Sequence, residues 1–344
     1  MFVITGGGTG GHLAIAKALA LELKGKKKTI YIGSLQGQDR DWFEGSDLFE
    51  KVYFLNTTGV VNKRGLGIFK ALFLQLKALL VVRRIFKKYG VESVISVGGF
   101  SAGPASIGAL IFGKKLFIHE QNAIKGKLNA KLSPYAKRVF GSFGERADNF
   151  MHTSYPVREE FFAKSRVREE VKSILFLGGS QGALALNNFA LKVAPSLLER
   201  GFKILHQCGA RDFARMKTEY ENLGVLERVD LFDFSPELLA KMVEADCCVC
   251  RAGASSVWEA AANGLPCLYV PYPYAAQNHQ YHNALFFEKR DLGVIVKESN
   301  LTPQVLEDFI THLEGNITEV SARLRESIKN DGAAKIVEQI ILLS

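Results

Sequence analysis

The sequence lacks a hydrophobic run long enough to cross a membrane. Its most apolar stretch, residues 68–82, is about half to three-quarters of a bilayer span and is interrupted by Lys70 and Lys77. No export-signal pattern follows Met1, which leads directly into an apolar segment. We therefore expect a protein that faces the cytoplasm and is not embedded in a bilayer.

Cysteine is scarce, with five residues in a chain of 344. An odd number of thiols fits a reducing compartment. Cys247 and Cys250 form a C-x-x-C pattern, but it lies in an apolar run without a second such pair or a paired histidine. The pattern therefore predicts a buried strand and not a metal or redox centre.

Acidic residues are absent between positions 63 and 88, where eight Lys and Arg residues occur among apolar residues at helical spacing. Such a helix either docks on an anionic membrane surface or packs on a sheet with a solvated basic face. The net charge of +9 also favours an anionic partner. Nucleic acid is not expected, because no recognition motif is present.

Glycine-rich loops follow apolar segments in both halves of the chain. Residues 2–5 run into loop 6–11, and residues 174–177 run into loop 178–182. Each pattern is typical of a buried parallel strand that turns into a helix, where free N–H groups bind an anion. Two such units predict two nucleotide-binding-type domains and a phosphorylated substrate.

Strand-length apolar segments alternate with segments of helical period along the whole chain. This alternation predicts an α/β fold with two doubly wound, Rossmann-like domains whose parallel sheets face a central cleft. The predicted strands are 2–5, 29–33, 93–97, 115–118 and 138–140, and then 173–177, 203–207, 229–232, 246–250 and 267–270.

The first glycine loop matches a G-x-G-x-x-G dinucleotide pattern, but the second strand is not followed by an acid for the ribose. Asp39 comes too late for that role, so simple NAD binding is not expected. His12, at the start of the following helix, either deprotonates a substrate hydroxyl or only begins the helix.

Two further loops of the first half carry candidate site residues. Gly98 and Gly99 form a third glycine turn, which either approaches a ligand or is only a tight connection. The polar run 119–122, which contains Glu120, suits sugar hydroxyls or a capped turn.

The segment 251–259 is the strongest local signal of the second half. Small residues open a helix there, as a diphosphate requires, and Glu259 lies one turn inside it. A carboxylate at that point can accept two hydrogen bonds from a ribose diol. Gln280 suits hydroxyl recognition. No carboxylate cluster suggests a metal, so none is predicted.

Together these motifs resemble the MurG family of bacterial N-acetylglucosaminyltransferases. The resemblance covers nearly the whole chain and rests on segments 7–12, 98–100, 119–122, 178–182, 251–259 and 279–284. It implies the GT-B fold. It also implies an acceptor and membrane domain at 1–157, with helix 326–344 packing back on it, and a UDP-GlcNAc domain at 158–325.

The resemblance implies inverting transfer of GlcNAc from UDP-GlcNAc to the C4 hydroxyl of MurNAc in lipid I, which gives lipid II for peptidoglycan. His12 is expected as the base, with Glu120 second. Gly8, Gly98, Gly99 and Ser101 are expected to meet the acceptor diphosphate. The implied donor-binding residues are Thr9, Gly10, Gly11, Asn122, Arg158, Ser180, Ser235, Ala254, Glu259 and Gln280.

The implied partners are UDP-GlcNAc, lipid I, the anionic inner-membrane surface through residues 63–88, and a cell-wall synthesis complex. No cofactor or essential metal is implied, and the implied location is peripheral on the cytoplasmic face of the inner membrane. Two alternatives stay open: a GT-B transferase with another lipid acceptor such as diacylglycerol, and a UDP-GlcNAc 2-epimerase.

Overall fold

A computed structural model describes residues 1–57, 66–144, 147–179, 182–233 and 238–344. For residues 66–72 it describes the backbone. Over these ranges, no helix has both the length and the apolar character that a membrane crossing needs. The chain divides into two compact units, Met1–Val157 with Asn330–Ser344, and Arg158–Lys329.

Thirteen strands are assigned within the described ranges. In chain order they are β1 Phe2–Thr5, β2 Thr29–Ser34, β3 Lys51–Leu55, β4 Ser93–Ser96, β5 Lys115–Glu120, β6 Arg138–Gly141, β7 Phe150–His152, β8 Ser173–Leu177, β9 Lys203–Gln207, β10 Val229–Phe232, β11 Cys247–Cys250, β12 Cys267–Tyr269 and β13 Gly293–Ile295.

The α-helices lie between the strands and at the end of the chain. They are α1 Gly10–Leu23, α2 Asp39–Phe43, α3 Leu66–Tyr89, α4 Gly103–Ile111, α5 Lys127–Leu132, α6 Glu159–Ala163, α7 Leu184–Glu199, α8 Phe213–Asn222, α9 Leu238–Glu244, α10 Ala254–Asn263, α11 His279–Glu288, α12 Pro303–Glu314, α13 Ile317–Glu326 and α14 Gly332–Leu343.

Both sheets are parallel, and the six strands of the second follow the same order as the first six of the seven-stranded first sheet. The first unit has the order β3-β2-β1-β4-β5-β6-β7, and the second has β10-β9-β8-β11-β12-β13. Every residue of β1, β4, β8 and β11 is buried, which explains why none of these strands carries a charged residue. The α/β, doubly wound fold class predicted from the sequence is confirmed.

Three strands, β3, β7 and β13, escaped prediction, and each lies at the edge of its sheet. Their residues are mostly half-buried or exposed. β7 and β13 have only three residues each, which is too short for a recognisable apolar run. Edge position alone does not explain the misses, because β3 carries the apolar run 52–55 and the edge strand β10 was predicted.

The final helix, α14, belongs to the first unit and packs against α1. Its first residue, Gly332, leaves no room for a side chain, because a Cβ there would collide with the carbonyl oxygen of Ser154. Ile336, Val337 and Ile340 of this helix are buried. The end of the chain therefore completes the core of the unit in which the chain begins.

Each sheet has one point where the strand order reverses direction, between β1 and β4 and between β8 and β11. The loops that leave these strand pairs diverge, and ligands of doubly wound folds bind in the crevice between such loops. In the first unit these loops are the glycine turns after β1 and β4. In the second unit they follow β8 and β11.

Candidate active site

The two glycine loops of the first unit are in direct contact at the β1/β4 switch point. The amide of Gly7 donates to the carbonyl of Gly98 at 3.1 Å. Gly99 has a φ of 81°, and a Cβ there would collide with the Gly7 carbonyl oxygen. Both a positive φ and a missing side chain are thus required, so the turn after β4 has a structural need for glycine.

Asp39, which sequence reasoning set aside, anchors the first glycine loop. Its carboxylate is fully buried and accepts hydrogen bonds from the Gly8 amide at 2.6 Å, the Ser34 amide at 3.0 Å and the Tyr31 hydroxyl at 3.0 Å. Burial, together with Asp39, raises the pKa of the Tyr31 hydroxyl far above its ordinary value. The one sequence signal was an acidic residue shortly after β2, which had been judged only as a ribose ligand.

His12 lies in the first turn of α1, next to the glycine turn that follows β4. Its Nδ1 is 2.9 Å from Thr9 Oγ1, and its Nε2 is 2.8 Å from Gln121 Nε2. The Tyr155 hydroxyl donates to Gln121 Oε1 at 3.5 Å, which turns the amide nitrogen of Gln121 toward His12. With that amide donating, Nε2 of His12 accepts and Nδ1–H donates to Thr9.

Glu120, at the end of β5, is bound within its own loop. Oε1 accepts from the Asn122 amide at 3.0 Å, and Oε2 accepts from the Gly126 amide at 3.1 Å and from Asn129 Nδ2 at 2.8 Å. Burial raises the pKa of Glu120, and these hydrogen bonds oppose that rise. Both oxygens are engaged, so the carboxyl group orders the 121–129 turn.

The remaining residues of the polar run have separate positions. His119 is buried beneath the site and faces the Tyr155 ring, and burial, followed by the His12 charge, lowers its pKa to about 3. Its imidazole is therefore neutral at physiological pH. Asn122 is half-buried and lines a cavity of about 210 Å³ with Glu120, Lys125 and Phe143.

In the second unit, the loop after β11 is held from its outer side. Arg251 donates to the Val270 carbonyl at 3.0 Å and pairs with Glu298 at 2.5 Å, and Asn283 donates to the Ala252 carbonyl at 3.1 Å. Helix α10 then begins at Ala254. The first turn of a helix leaves its N–H groups without intrahelical acceptors, so this end attracts an anion.

Glu259 projects from α10 with Arg158 and Glu160 as its charged neighbours. Burial raises its pKa to about 7, although the Arg158 charge lowers it, and Glu160 adds to the rise. Arg158 itself pairs with Glu160 at 2.6 Å. The Glu259 carboxyl group thus changes charge near neutral pH, where ligand binding can decide its state.

Gln280 lies in the first turn of α11, where its Oε1 accepts from the Tyr272 amide at 2.8 Å. It is therefore adjacent to the segment that follows β12. Ser180 and Ser235, both predicted to bind the donor, lie outside the described residues, as do residues 63–65 of the basic segment and the Lys70 side chain.

The structure thus brings the predicted residues together in two groups. Thr9 and His12 meet Gly98 and Gln121 at the switch point of the first unit, with Ser101 buried in the neighbouring turn. Arg158 and Glu259 are neighbours in the second unit. Asp39 and Asn129 are interacting residues that sequence reasoning had not assigned a role, and Gln121, predicted with the run 119–122 to meet sugar hydroxyls, contacts His12 instead.

The two halves of the chain match two models of one family. The model for the glycosyltransferase family 28 N-terminal domain matches residues 2–141, and that for the family 28 C-terminal domain matches residues 173–340.

Curated relatives and solved structures extend this similarity over the whole chain. A UDP-N-acetylglucosamine–N-acetylmuramyl-(pentapeptide) pyrophosphoryl-undecaprenol N-acetylglucosamine transferase of Helicobacter hepaticus is 57% identical over 100% of this chain and 99% of the relative. The protein of the same name from Helicobacter pylori strain P12 is 51% identical over 99% of both chains. The crystal structure of Acinetobacter baumannii MurG superposes with a TM-score of 0.81 at 29% identity over 99% of both chains.

A UDP-GlcNAc 2-epimerase from Neisseria meningitidis superposes with a TM-score of 0.68 at 14% identity, covering 100% of both chains, which reflects the shared fold alone. The matches to the two family 28 domain models and the 57% identity over the full length show more than a shared fold. On this basis, the chain belongs to the MurG family of glycosyltransferases.

Proposed function

We propose that this protein transfers GlcNAc from UDP-GlcNAc to the MurNAc C4 hydroxyl of lipid I, with inversion at the sugar C1, and so forms lipid II. The observation that carries the proposal is the 57% identity to a relative named as an N-acetylglucosamine transferase for UDP-N-acetylglucosamine and N-acetylmuramyl-(pentapeptide) pyrophosphoryl-undecaprenol. The two groups of residues at the switch points of both units support it. The epimerase alternative has only a fold-level similarity behind it.

We assign UDP-GlcNAc, the sugar donor, to the second unit because of the charges around the start of α10. The N-terminus of α10, opened by Ala254, offers N–H groups to the diphosphate, and Arg158 adds a cation. Glu259 would accept a hydrogen bond from each ribose hydroxyl, since its two carboxylate oxygens are spaced like the two neighbouring hydroxyls. Gln280 would contact the sugar. The resemblance adds Ser180 and Ser235 to this set.

The acceptor is assigned to the glycine loops of the first unit. The Gly7 and Gly8 amides already donate to Gly98 and Asp39. Gly10 and Gly11, in the first turn of α1, stay proposed contacts of UDP-GlcNAc. Within the proposed acceptor set of Gly8, Gly98, Gly99 and Ser101, Gly8 thus acts by shaping the loop. Thr9 and Asn122 stay proposed contacts of the donor sugar.

His12 is the proposed general base. The acceptor hydroxyl would take the place of the Gln121 amide at Nε2, which is the ring nitrogen with an accepting lone pair in this network. As the C4 oxygen attacks the sugar C1, its proton passes to Nε2 and UDP leaves. Glu120 is less suited to this task, because both of its oxygens accept hydrogen bonds that maintain its own loop.

A membrane-facing surface is proposed on α3 and α4 of the first unit. Phe73, Leu76 and Leu80 of α3 and Ile111 of α4 are each more than half exposed, and Lys77 lies over the Phe73 ring at 4.5 Å. Exposed apolar side chains beside cations suit an anionic lipid surface. We propose that the protein is peripheral on the cytoplasmic face of the inner membrane, where it would meet lipid I and other cell-wall enzymes.

The function is tested by following labelled GlcNAc from UDP-GlcNAc to a lipid I analogue, with UDP release measured in the presence of EDTA. We expect acceptor-dependent UDP release and a disaccharide product, because helix N-termini and Arg158 balance the diphosphate without a metal. Turnover of UDP-GlcNAc to an epimer without acceptor, or transfer to diacylglycerol alone, would replace the proposal with the corresponding alternative.

Replacing His12 with Ala should lower kcat by about 10²–10⁴-fold, the usual contribution of a general base. The Kd for UDP-GlcNAc should change by less than about threefold, since the proton is transferred only in the reaction. Steady-state kinetics and calorimetry provide the two values. His312→Ala, on the exposed surface of α12, is the matched control. Equal losses in kcat and donor affinity would make His12 a binding residue.

Donor affinity should rise as the pH increases from 6 to 8, by up to about tenfold, because an ionised Glu259 accepts stronger hydrogen bonds from the ribose. The pKa of Glu259, raised by burial to about 7, places the change in this window. Glu259→Gln should remove the pH dependence. Glu160→Gln should move it to lower pH, because the Glu160 charge raises that pKa. An unchanged profile in Glu259→Gln would reject the ribose role.

Vesicle binding should depend on the surface of α3. Leu76→Asp with Lys77→Glu should weaken sedimentation with anionic vesicles at least tenfold, because burying one leucine contributes about 1.5–3 kcal/mol. Added salt should weaken the wild-type binding. Leu184→Asp, at an exposed leucine of α7 in the second unit, is the matched control. Salt-insensitive binding that survives the double substitution would rule out this surface.

A further inference from the structure

Three cysteines converge inside the second unit, on neighbouring parallel strands. Cys248 and Cys250 belong to β11, and Cys267 of β12 is the register partner of Cys248. The three Sγ atoms lie within 4.8 Å of one another. Each residue is at most 2% exposed. This cluster is separate from the residues proposed to bind the donor or to catalyse the transfer.

The strand alternation explains why the C-x-x-C pattern is not the relevant one. Residues three apart on a strand point to opposite faces, and residues two apart share a face. Cys247 packs with Val249 in the core on the other face of the sheet. The C-x-C pair of Cys248 and Cys250 therefore shares its face with the third thiol, which comes from a strand 17 residues further along.

We propose that Cys248, Cys250 and Cys267 form a binding site for a soft monovalent metal ion, Cu(I), coordinated by three sulfur atoms. Soft thiolates bind Cu(I), zinc and iron–sulfur clusters, and of these Cu(I) is satisfied by three sulfur ligands in a trigonal site. With metal–sulfur bonds of about 2.3 Å, the sulfurs of a trigonal site are about 4.0 Å apart. The cluster therefore needs shifts of less than about 1 Å, which side-chain rotation supplies.

The surroundings favour Cu(I) over Zn(II). Structural zinc is four-coordinate and takes sulfur, imidazole or carboxylate ligands. Among the described residues, the only cluster of three or more such ligands is these three thiols, with no histidine or carboxylate as a fourth. The Cys267 thiol donates to the Leu265 carbonyl at 3.3 Å, and the Tyr269 hydroxyl is buried beside the Cys267 sulfur.

A buried positive charge interacts electrostatically with the cluster. The guanidinium of Arg168 is fully buried, and its charge acts on Cys267. The hydrogen bonds found for that guanidinium go to uncharged oxygens, among them Asn263 Oδ1 at 2.6 Å and the Met242 carbonyl at 2.8 Å. On binding, Cu⁺ replaces the thiol protons, which pass to solvent, and copper keeps its oxidation state. Arg168 then compensates part of the negative charge.

The test is anaerobic titration of the intact protein with Cu(I) against a chromogenic Cu(I) chelator. We expect one ion per chain, an ultraviolet thiolate-to-copper absorption band and an X-ray absorption spectrum with three sulfur neighbours. Cys248→Ala, Cys250→Ala and Cys267→Ala should each weaken binding at least 100-fold. Cys247→Ala, on the same strand but the opposite face, and Cys208→Ala should retain it.

Circular dichroism and UDP-GlcNAc binding without copper show whether each variant is folded. If the cluster variants do not fold, the wild-type spectrum and the Cys247→Ala and Cys208→Ala titrations still decide the question. The proposal is overturned if the wild-type chain fails to compete for one Cu(I), if the spectrum contains fewer than three sulfurs, or if Cys247→Ala or Cys208→Ala abolishes binding. Tighter binding of Zn(II) than of Cu(I) would also overturn it.

Discussion

The contact between two glycine loops, backbone against backbone, is the constraint on which the first unit's site depends. The Gly7 amide reaches the Gly98 carbonyl, and no Cβ fits at Gly99. This close approach brings the start of α1 next to the turn after β4. A Cβ on Gly98 would lie 3.3 Å from His12 Nε2. A side chain in either loop would separate the strand ends and move His12 with them.

Buried charges then hold the surrounding loops in place. Asp39 satisfies three donors beside the first glycine loop, and Glu120 satisfies three donors in the turn after β5. A buried carboxylate is costly unless it is fully hydrogen-bonded, so each of these groups favours one loop conformation over others. Asp39 and Glu120 thus position the loops around His12, the proposed base.

Much of the fold could be predicted from the sequence, because central strands are covered on both faces and consist of apolar and small uncharged residues. The strands β7 and β13 could not, since three half-buried or exposed residues at a sheet edge form no recognisable run. β3 was missed although its residues 52–55 are apolar. For the site, the glycine loops and His12 were visible as motifs. Asp39 was not, because its partners Gly8 and Tyr31 lie 31 and 8 positions away and nothing local indicates that they meet.

The sequence by itself determined the α/β class, the repetition of a strand–glycine–helix unit and the membership of the MurG family. Local patterns are enough for these, because backbone freedom, burial and helix starts are properties of a few consecutive residues. Only the tertiary structure decided which distant groups meet. It set the direction of the Gln121 amide, the partners of Glu120, the raised pKa of Glu259 and the meeting of Cys250 with Cys267. Each of these depends on strands that become neighbours only when the sheet forms.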